Sequence, residues 1–311
     1  MGLLRSEAVM PDFHFPLRIE MADSGIAHIV LPVFLIIAVG FLFGKIKRVD
    51  ISPINDLVLY IAAPCLIFSS FSAPPMDFYF VARIFGFFAL VSALCLVAGL
   101  ILTKIFKVSR PAYLPTMIFA NNGNMGLPLI LFAFGEQGFQ IAVVCMVAMA
   151  LLHYTLGVAL VNSRGSISEI FKLPLIYSAL GGMWVNFGGY ETPLFLDRTI
   201  SLFADIAVPG MMFILGYRLS EISISSFWVS SIFGCSRIAL GFFAAIVLIP
   251  FFNVSELTSK VMILQSAMPT AVTCLVLAEK YGAEPEKVAS VTAVSTAVSF
   301  LVLPTMISYM V

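Results

Sequence analysis

Three asparagines lie close together in one of the most apolar stretches of this chain. Residues 119–128 read FANNGNMGLP, and asparagine, glycine and proline all disfavour the interior of a long helix. Asparagine amides supply neutral hydrogen-bond donors and acceptors without the desolvation cost of a charge, and glycine lets the backbone approach a ligand. The segment therefore predicts a helix break that builds a polar binding site. Its candidate binding residues are Asn121, Asn122, Asn124, Gly126 and Pro128.

The composition places this site in a membrane. The 311 residues are 60% hydrophobic and 11% charged, with a mean hydropathy of +1.05, whereas soluble domains carry about 25% charged residues. The formal net charge is zero, which gives no basic surface for nucleic acid. The five cysteines lie in apolar runs without a C-x-x-C pair, so they are interpreted as packing residues, and neither a metal nor a cofactor is expected.

The hydropathy pattern predicts an all-α membrane protein with ten transmembrane helices. Each span needs roughly 20 apolar residues, and charges, glycines and prolines mark the connections. The predicted spans are residues 25–44, 51–71, 79–106, 112–134, 138–162, 171–188, 195–218, 226–251, 258–280 and 287–310. Residues 1–24 are interpreted as an N-terminal tail. Residues 1–20 contain no apolar run of signal-peptide length and are expected either to be disordered or to precede a true start at Met21.

The basic residues predict the orientation of these spans, because cytoplasmic loops carry an excess of lysine and arginine. Eleven basic residues flank the odd-numbered loops and three flank the even-numbered ones. The eleven are Lys45, Lys47, Arg48, Lys104, Lys107, Arg110, Arg164, Lys172, Arg218, Lys280 and Lys287, and the three are Arg83, Arg198 and Lys260. The odd-numbered loops are therefore expected in the cytoplasm, and both chain ends outside it.

Two parts of the chain repeat at a constant offset. YIAAPCLIF, which contains Pro64, resembles DIAVPGMMF, which contains Pro209, and 209 − 64 = 145. The Met-Ile pair that begins at Met117 recurs at Met262, and 262 − 117 = 145 again. Five spans in each half would give the halves opposite topology, as in the inverted repeats of secondary transporters. The predicted repeats are residues 25–162 and 173–311, joined by a linker of residues 163–172.

The offset places a second interrupted segment opposite the first. Residues 264–273 read LQSAMPTAVT and again combine proline with small and polar residues. A helix break in lipid is tolerated only where protein or water satisfies the freed backbone groups, and half-helix N-termini then favour anionic groups. The two segments are expected to cross near the bilayer midplane and hold a solute. The candidate binding residues of the second segment are Gln265, Ser266, Pro269 and Thr270.

Three ionisable residues within predicted spans are candidates for coupling or substrate binding, because intramembrane charges are costly. Asp205 and Arg237 either form a structural pair or face a water-filled vestibule, and a buried cation such as Arg237 would suit an anion carrier. His153 is either a coupling residue or a packed neutral imidazole bonded to a backbone carbonyl. Hydroxyl residues of the tenth span either line the cavity or bond to their own helix. They are Ser290, Thr292, Ser295, Thr296 and Ser299.

The chain resembles the auxin efflux carrier family over nearly all of residues 25–311. The resemblance rests on NNGNMGLPL, IAAPCLIF, VPGMMFILG and SAMPTAVTCLVLAEKYG. It implies ten helices in two inverted five-helix repeats, with helices four and nine broken where they cross. It also implies an elevator-like movement, organic-anion substrates such as auxin or malonate, and a homodimer. The short linker is similar to compact bacterial-type members, not to plant carriers with a long central loop.

These observations predict a secondary transporter, not an enzyme, that moves a small mono- or dicarboxylate across the cell inner membrane. Protons are a candidate coupling ion. A sodium-coupled carrier of the bile-acid symporter type stays open, although the predicted crossing offers no carboxylate for a sodium site. A channel is less consistent with broken crossing helices. An intramembrane enzyme has little support, since no G-x-S-x-G, H-E-x-x-H or Walker lysine motif occurs.

Overall fold

The computed structural model describes residues 25–72, 77–162, 171 and 173–311, which form helices joined by short connections. The tail predicted at residues 1–24 lies outside the described residues, as do Arg164 and Lys172. The α-helices are α1 Ile26–Lys47, α2 Ser52–Leu57, α3 Ala63–Ser72, α4 Phe78–Phe106, α5 Arg110–Ile118, α6 Leu127–Leu152, α7 Val158–Val161, α8 Pro174–Gly188, α9 Leu194–Glu221, α10 Phe227–Leu248, α11 Glu256–Ser266, α12 Thr273–Tyr281 and α13 Pro285–Met310.

Short non-α turns link several of these helices. One-turn π-helical segments at Val58–Ala62, Asn122–Gly126 and His153–Gly157 continue directly into α-helix, and a 3₁₀ turn at Ile249–Phe251 follows α10. Inside α6, Gly135 takes φ 64° and ψ −164°, outside the helical region. This kink falls between the predicted fourth and fifth spans, where the hydropathy pattern predicts a connection.

Seven helical segments in the described part of the chain are long and apolar enough to cross a membrane. Helices α5, α8, α11 and α12 contain 9, 15, 11 and 9 residues, each less than one full span by itself. The all-helical class predicted from the sequence is therefore observed, while the count of ten spans and the inverted repeat stay predictions.

The helices pack into two bundles. The first bundle contains α1, α3, α8 and α9, and the second contains α4, α5, α6 and α10 to α13. The bundles meet where α9 contacts the π-helical segment Asn122–Gly126, and where α1 contacts α6 and α13. Both segments that the sequence analysis expects to be broken belong to the second bundle.

Glycines bring α1 and α9 of the first bundle unusually close. Gly40 and Gly44 lie four residues apart on α1, as in a G-x-x-x-G helix-packing motif, and Gly216 lies on α9. A Cβ atom at Gly216 would overlap the carbonyl oxygen of Ile37, and one at Gly40 would overlap that of Phe213. The two backbones therefore touch directly, which makes this pair the tightest part of the first bundle.

Substituting Gly216→Leu is expected to separate α1 from α9 and lower the free energy of unfolding by about 1–3 kcal/mol, because overpacking forces the backbones apart. Thermal unfolding of the purified protein in detergent measures the change. Gly86→Leu is the matched control, since the nearest atom to a Cβ there is a Phe252 ring carbon at 3.8 Å. Equal melting temperatures for the two variants would contradict the packing assignment.

Candidate functional site

Both segments that the sequence predicts to be broken are interrupted in the structure. Helix α5 ends at Ile118, and Phe119 is extended, with φ −94° and ψ 117°. Helix α11 ends at Ser266, and α12 begins only at Thr273. Pro269 lies between α11 and α12 and has no backbone N–H to continue a helix. Each break therefore releases several backbone groups from helical hydrogen bonding.

The two breaks cross and bond to each other through their backbones. Ala120 and Thr270 form an isolated antiparallel bridge. The Asn121 N–H donates to the Pro269 carbonyl at 2.8 Å, and the Ala271 N–H donates to the Phe119 carbonyl at 3.0 Å. The crossing expected from the sequence is thus a direct main-chain contact, which we call the crossover.

Hydroxyl groups satisfy further backbone atoms at the crossover. The Thr270 hydroxyl donates to the Thr116 carbonyl at 3.0 Å, near the end of α5. The Thr270 N–H donates to the Ser295 hydroxyl of α13 at 3.2 Å. Sequence reasoning missed Thr116 as part of the site, although it is a polar residue three positions before the break. Thr116 takes part through its main-chain carbonyl, while its hydroxyl donates to the Tyr113 carbonyl of its own helix, so its residue type gives no signal in the sequence.

Asn122 and Gln265 bind one another across the crossover. The Asn122 Nδ2 donates to the Gln265 carbonyl at 3.1 Å and to the Gln265 Oε1 at 2.5 Å. Gly126 leaves room for this pair, since a Cβ there would clash with the Gln265 amide. The pair leaves the Asn122 Oδ1 and the Gln265 Nε2 without partners. In this conformation Asn122 therefore holds the crossover, while its amide nitrogen is unavailable to a ligand.

Buried polar side-chain atoms without a partner gather on the helices that form the crossover and pack around it. Within the described residues they are Ser92 Oγ, Asn121 Nδ2, Asn122 Oδ1, His153 Nε2, Arg237 Nε, Gln265 Nε2 and Ser266 Oγ. Three of these atoms are obligate donors and only the Asn122 oxygen is an obligate acceptor. Unpartnered buried groups are costly, so this donor excess indicates a region suited to an acceptor-rich ligand or water.

The half-helix that follows the first break begins at the boundary between the two bundles. Within the described residues, the N–H groups of Gly123 and Asn124 donate to no backbone carbonyl outside their own helical segment. Gly123 and Asn124 are half-buried, unlike their buried neighbours. A Cβ at Gly123 would lie 3.2 Å from the Met146 sulfur and 4.0 Å from the Met211 sulfur. Free N–H groups at a helix start favour anions.

The structure brings most of the predicted binding residues together. Asn121, Asn122, Gln265, Ser266, Pro269 and Thr270 form the crossover itself. Asn124, Gly126 and Pro128 lie on the half-helix that leaves it, where Pro128 is buried in the first turn of α6.

Of the three ionisable candidates, Arg237 and His153 lie beside the crossover. The Arg237 Nη2 donates to the Ser266 carbonyl at 3.1 Å. The His153 Nδ1 lies 3.3 Å from the Thr273 hydroxyl, and its ring centroid is 4.3 Å from that of Phe119. His153 thus contacts a hydroxyl, and not the backbone carbonyl that one of its two alternatives proposed.

Asp205 lies apart from these residues, half-buried on α9 of the first bundle. The structural Asp205–Arg237 pair considered from the sequence is wrong, because Arg237 instead bonds to Ser266 and Cys95. The two residues belong to different bundles, which sequence separation alone does not reveal.

The hydroxyl residues of α13 bond mainly to their own helix. Thr292 donates to the Val288 carbonyl, while Ser295 and Thr296 both donate to the Thr292 carbonyl. All are fully buried. Of the two alternatives left open by the sequence, own-helix bonding is the one observed, and Ser295 additionally accepts the bond from Thr270.

A family model described as "Membrane transport protein" matches residues 26–171 and 166–307 of this chain. The chain belongs to this family of membrane transporters. The match confirms the resemblance to the auxin efflux carrier family. It also supports the prediction that the chain is a transporter and not an enzyme.

Three relatives are similar over most or much of their length. An "Uncharacterized transporter" of Methanocaldococcus jannaschii is 27% identical over 301 residues, covering 88% of this chain and 96% of the relative. An "Uncharacterized transporter" of Methanothermobacter thermautotrophicus is 24% identical over 308 residues, covering 91% and 98%. A protein of Rhizobium meliloti named "Putative malonate transporter" is 26% identical over 216 residues, covering 63% and 67%.

Substituting Thr270→Val is expected to lower the free energy of unfolding of this family member by about 1–3 kcal/mol, because the Thr116 carbonyl then loses its hydroxyl donor in a buried place. Thermal unfolding in detergent provides the measurement. Thr305→Val is the control, since that exposed hydroxyl bonds only to Leu301 of its own helix. A loss no larger than that of the control would show that the crossover does not depend on this bond.

Proposed function

We propose that this chain is a secondary transporter that moves a small organic anion, a mono- or dicarboxylate, across the cytoplasmic membrane. The observation that carries the proposal is the crossover of two broken helices, with its excess of unpartnered donors. Membership of a membrane transporter family supports the general class. The relative named "Putative malonate transporter" supports an anionic substrate.

The substrate carboxylate rests on the half-helix that starts after the first break. The N–H groups of Gly123 and Asn124, at the start of this half-helix, supply partial positive charge to it. The Asn121 and Gln265 amide nitrogens are side-chain donors without a partner, one on each crossing segment. Asn124 completes this set, because its side chain is half-buried at the start of the same half-helix.

Movement between the two bundles gives alternating access by an elevator-like mechanism. The second bundle carries the whole crossover, and the first bundle contains the close-packed α1–α9 pair that serves as the fixed scaffold. The substrate half-helix lies at the boundary of the bundles, where Met211 of α9 faces Gly123. Flexible methionine side chains suit a surface that has to repack.

The proposal includes the finer topology predicted from the sequence. Ten spans form two inverted repeats, residues 25–162 and 173–311, with both chain ends outside the cytoplasm. The Gly135 kink supports a division between the fourth and fifth spans. The inner membrane is the location, and a homodimer the assembly, that the family resemblance implies.

Substituting Asn124→Leu is expected to reduce carboxylate transport to background while leaving the fold intact, because the leucine removes a donor and fills the substrate position with an apolar group. Uptake of radiolabelled malonate into proteoliposomes is the measurement. A thermal-shift screen against other mono- and dicarboxylates accompanies it, so that the preferred substrate is used.

Asn55→Leu is the matched control for this test. Asn55 is also half-buried but lies on α2, in a region remote from the crossover in sequence. It should transport like the wild type. Wild-type uptake by the Asn124→Leu variant would refute the site.

Transport is expected to follow a proton gradient or the membrane potential, and not a sodium gradient. Liposome flux with each gradient alone measures this. Asp205→Asn and His153→Gln, compared with wild type under the same gradients, identify which candidate carries the coupling, since each removes one titratable group. Flux driven by sodium alone would support the bile-acid symporter type of carrier instead.

A further inference from the structure

Arg237 is a buried cation without a counter-ion. Its side chain lies in the middle of α10 with 0% of its surface exposed. Among the buried side chains of the described residues it is the one that always carries a formal charge, and no carboxylate there forms an ion pair with it. Burying an unpaired charge inside a membrane protein costs desolvation energy, so such a residue is a candidate for a functional role.

The guanidinium is held by the end of a broken helix. Its Nη2 donates to the Ser266 carbonyl at 3.1 Å, and Ser266 is the last residue of α11. Its Nη1 contacts the Cys95 sulfur at 3.5 Å, and its Nε has no partner. A cation at a helix C-terminus is stabilised by the helix dipole, which explains why this position tolerates the charge.

A continuous set of contacts joins this cation to the proposed substrate site. Ser266 follows Gln265, whose carbonyl and side chain both accept bonds from Asn122. Two successive carbonyls at the end of α11 are therefore bonded to the first crossing segment and to the guanidinium. Gly241 allows this approach, since a Cβ there would overlap the Ser266 carbonyl oxygen and lie 2.8 Å from the Arg237 Nη1.

We propose that Arg237 is the specificity-determining residue that makes the crossover select anions over neutral solutes of the same shape. It acts through its charge and through Ser266 and Gln265, without touching the substrate. This inference rests on the proposed transport function. An empty site would hold an uncompensated positive charge in a medium of low dielectric constant, and a substrate carboxylate compensates it.

The rival interpretation is that Arg237 only clamps the end of α11. Both interpretations predict lower transport activity when the side chain is removed, so loss of transport alone does not distinguish them. They differ in the ratio of anion uptake to neutral-solute uptake. If Arg237 is only a clamp, its loss leaves this ratio unchanged, whereas if its charge selects anions, its loss lowers the ratio. Malonate and malonamide are the probes, because they share a carbon skeleton and differ in charge.

The decisive substitution neutralises the cation without removing it. Cys95→Asp places a carboxylate next to the Arg237 Nη1 and keeps the bond to Ser266. Cys95→Asn has the same shape but no charge. We expect Cys95→Asp to lose about tenfold or more of the malonate-to-malonamide uptake ratio, and Cys95→Asn to keep the wild-type ratio. Equal ratios in the two variants would overturn the proposal.

Direct variants of the arginine give an independent measurement in proteoliposomes. Arg237→Gln is expected to lose the anion preference, and Arg237→Lys to keep it with a higher KM. Arg83→Gln is the control, since Arg83 also donates to a backbone carbonyl, that of Asn253, but at an exposed position. A folded Arg237→Gln variant with the wild-type ratio would refute the role of the charge. If the wild type itself transports no carboxylate, the proposed function fails first, and this inference fails with it.

Discussion

Every backbone N–H and C=O group released inside a membrane needs a partner, because lipid offers none. The two helix breaks in this protein meet part of that requirement by pairing with each other. The Asn121 N–H and the Pro269 carbonyl form one bond, and the Ala271 N–H and the Phe119 carbonyl form the other. Neither break has these partners without its counterpart, so the crossover is a single cooperative element.

Because the backbones pair with each other, some polar side chains at the crossover are not needed to hold it together. Because the main chain and the Thr270 and Asn122 side chains hold the crossing, the amide nitrogens of Asn121 and Gln265 stay unpartnered although both residues are buried. Buried donors without acceptors are unusual in folded proteins. Their presence here follows from a division of roles, in which one set of groups holds the crossing and another stays available for the proposed substrate.

Sequence reasoning located the breaks correctly but not their pairing. The Asn-Gly and Pro residues disrupt helices by local chemistry, so positions near 119 and 269 are readable from sequence. The bridge, however, joins residues 150 apart, since 270 − 120 = 150, whereas the repeated segments show an offset of 145. Which residues meet depends on how the two segments cross, and a gapless offset does not contain that information.

The hydrogen-bond partners of buried polar side chains also cannot be predicted from the sequence. Arg237 is recognisable in the sequence as an intramembrane charge, but its contact with Ser266 depends on the rotation of α10 about its own axis. The α13 hydroxyls show the same limit, because bonding to their own helix and lining a cavity require identical residues. Tertiary packing decides both cases.

The chemistry of the crossover bears on the choice of coupling ion. A sodium ion requires several oxygen ligands at close range, as hard cations do in general. The carbonyl oxygens of Thr116, Phe119, Gln265, Ser266 and Pro269 at the crossover already accept hydrogen bonds. The unpartnered atoms are mostly donors, and Arg237 adds a positive charge nearby. Donor groups and a nearby positive charge suit an anion better than a cation, so the proposed carboxylate substrate fits the crossing better than a sodium ion does.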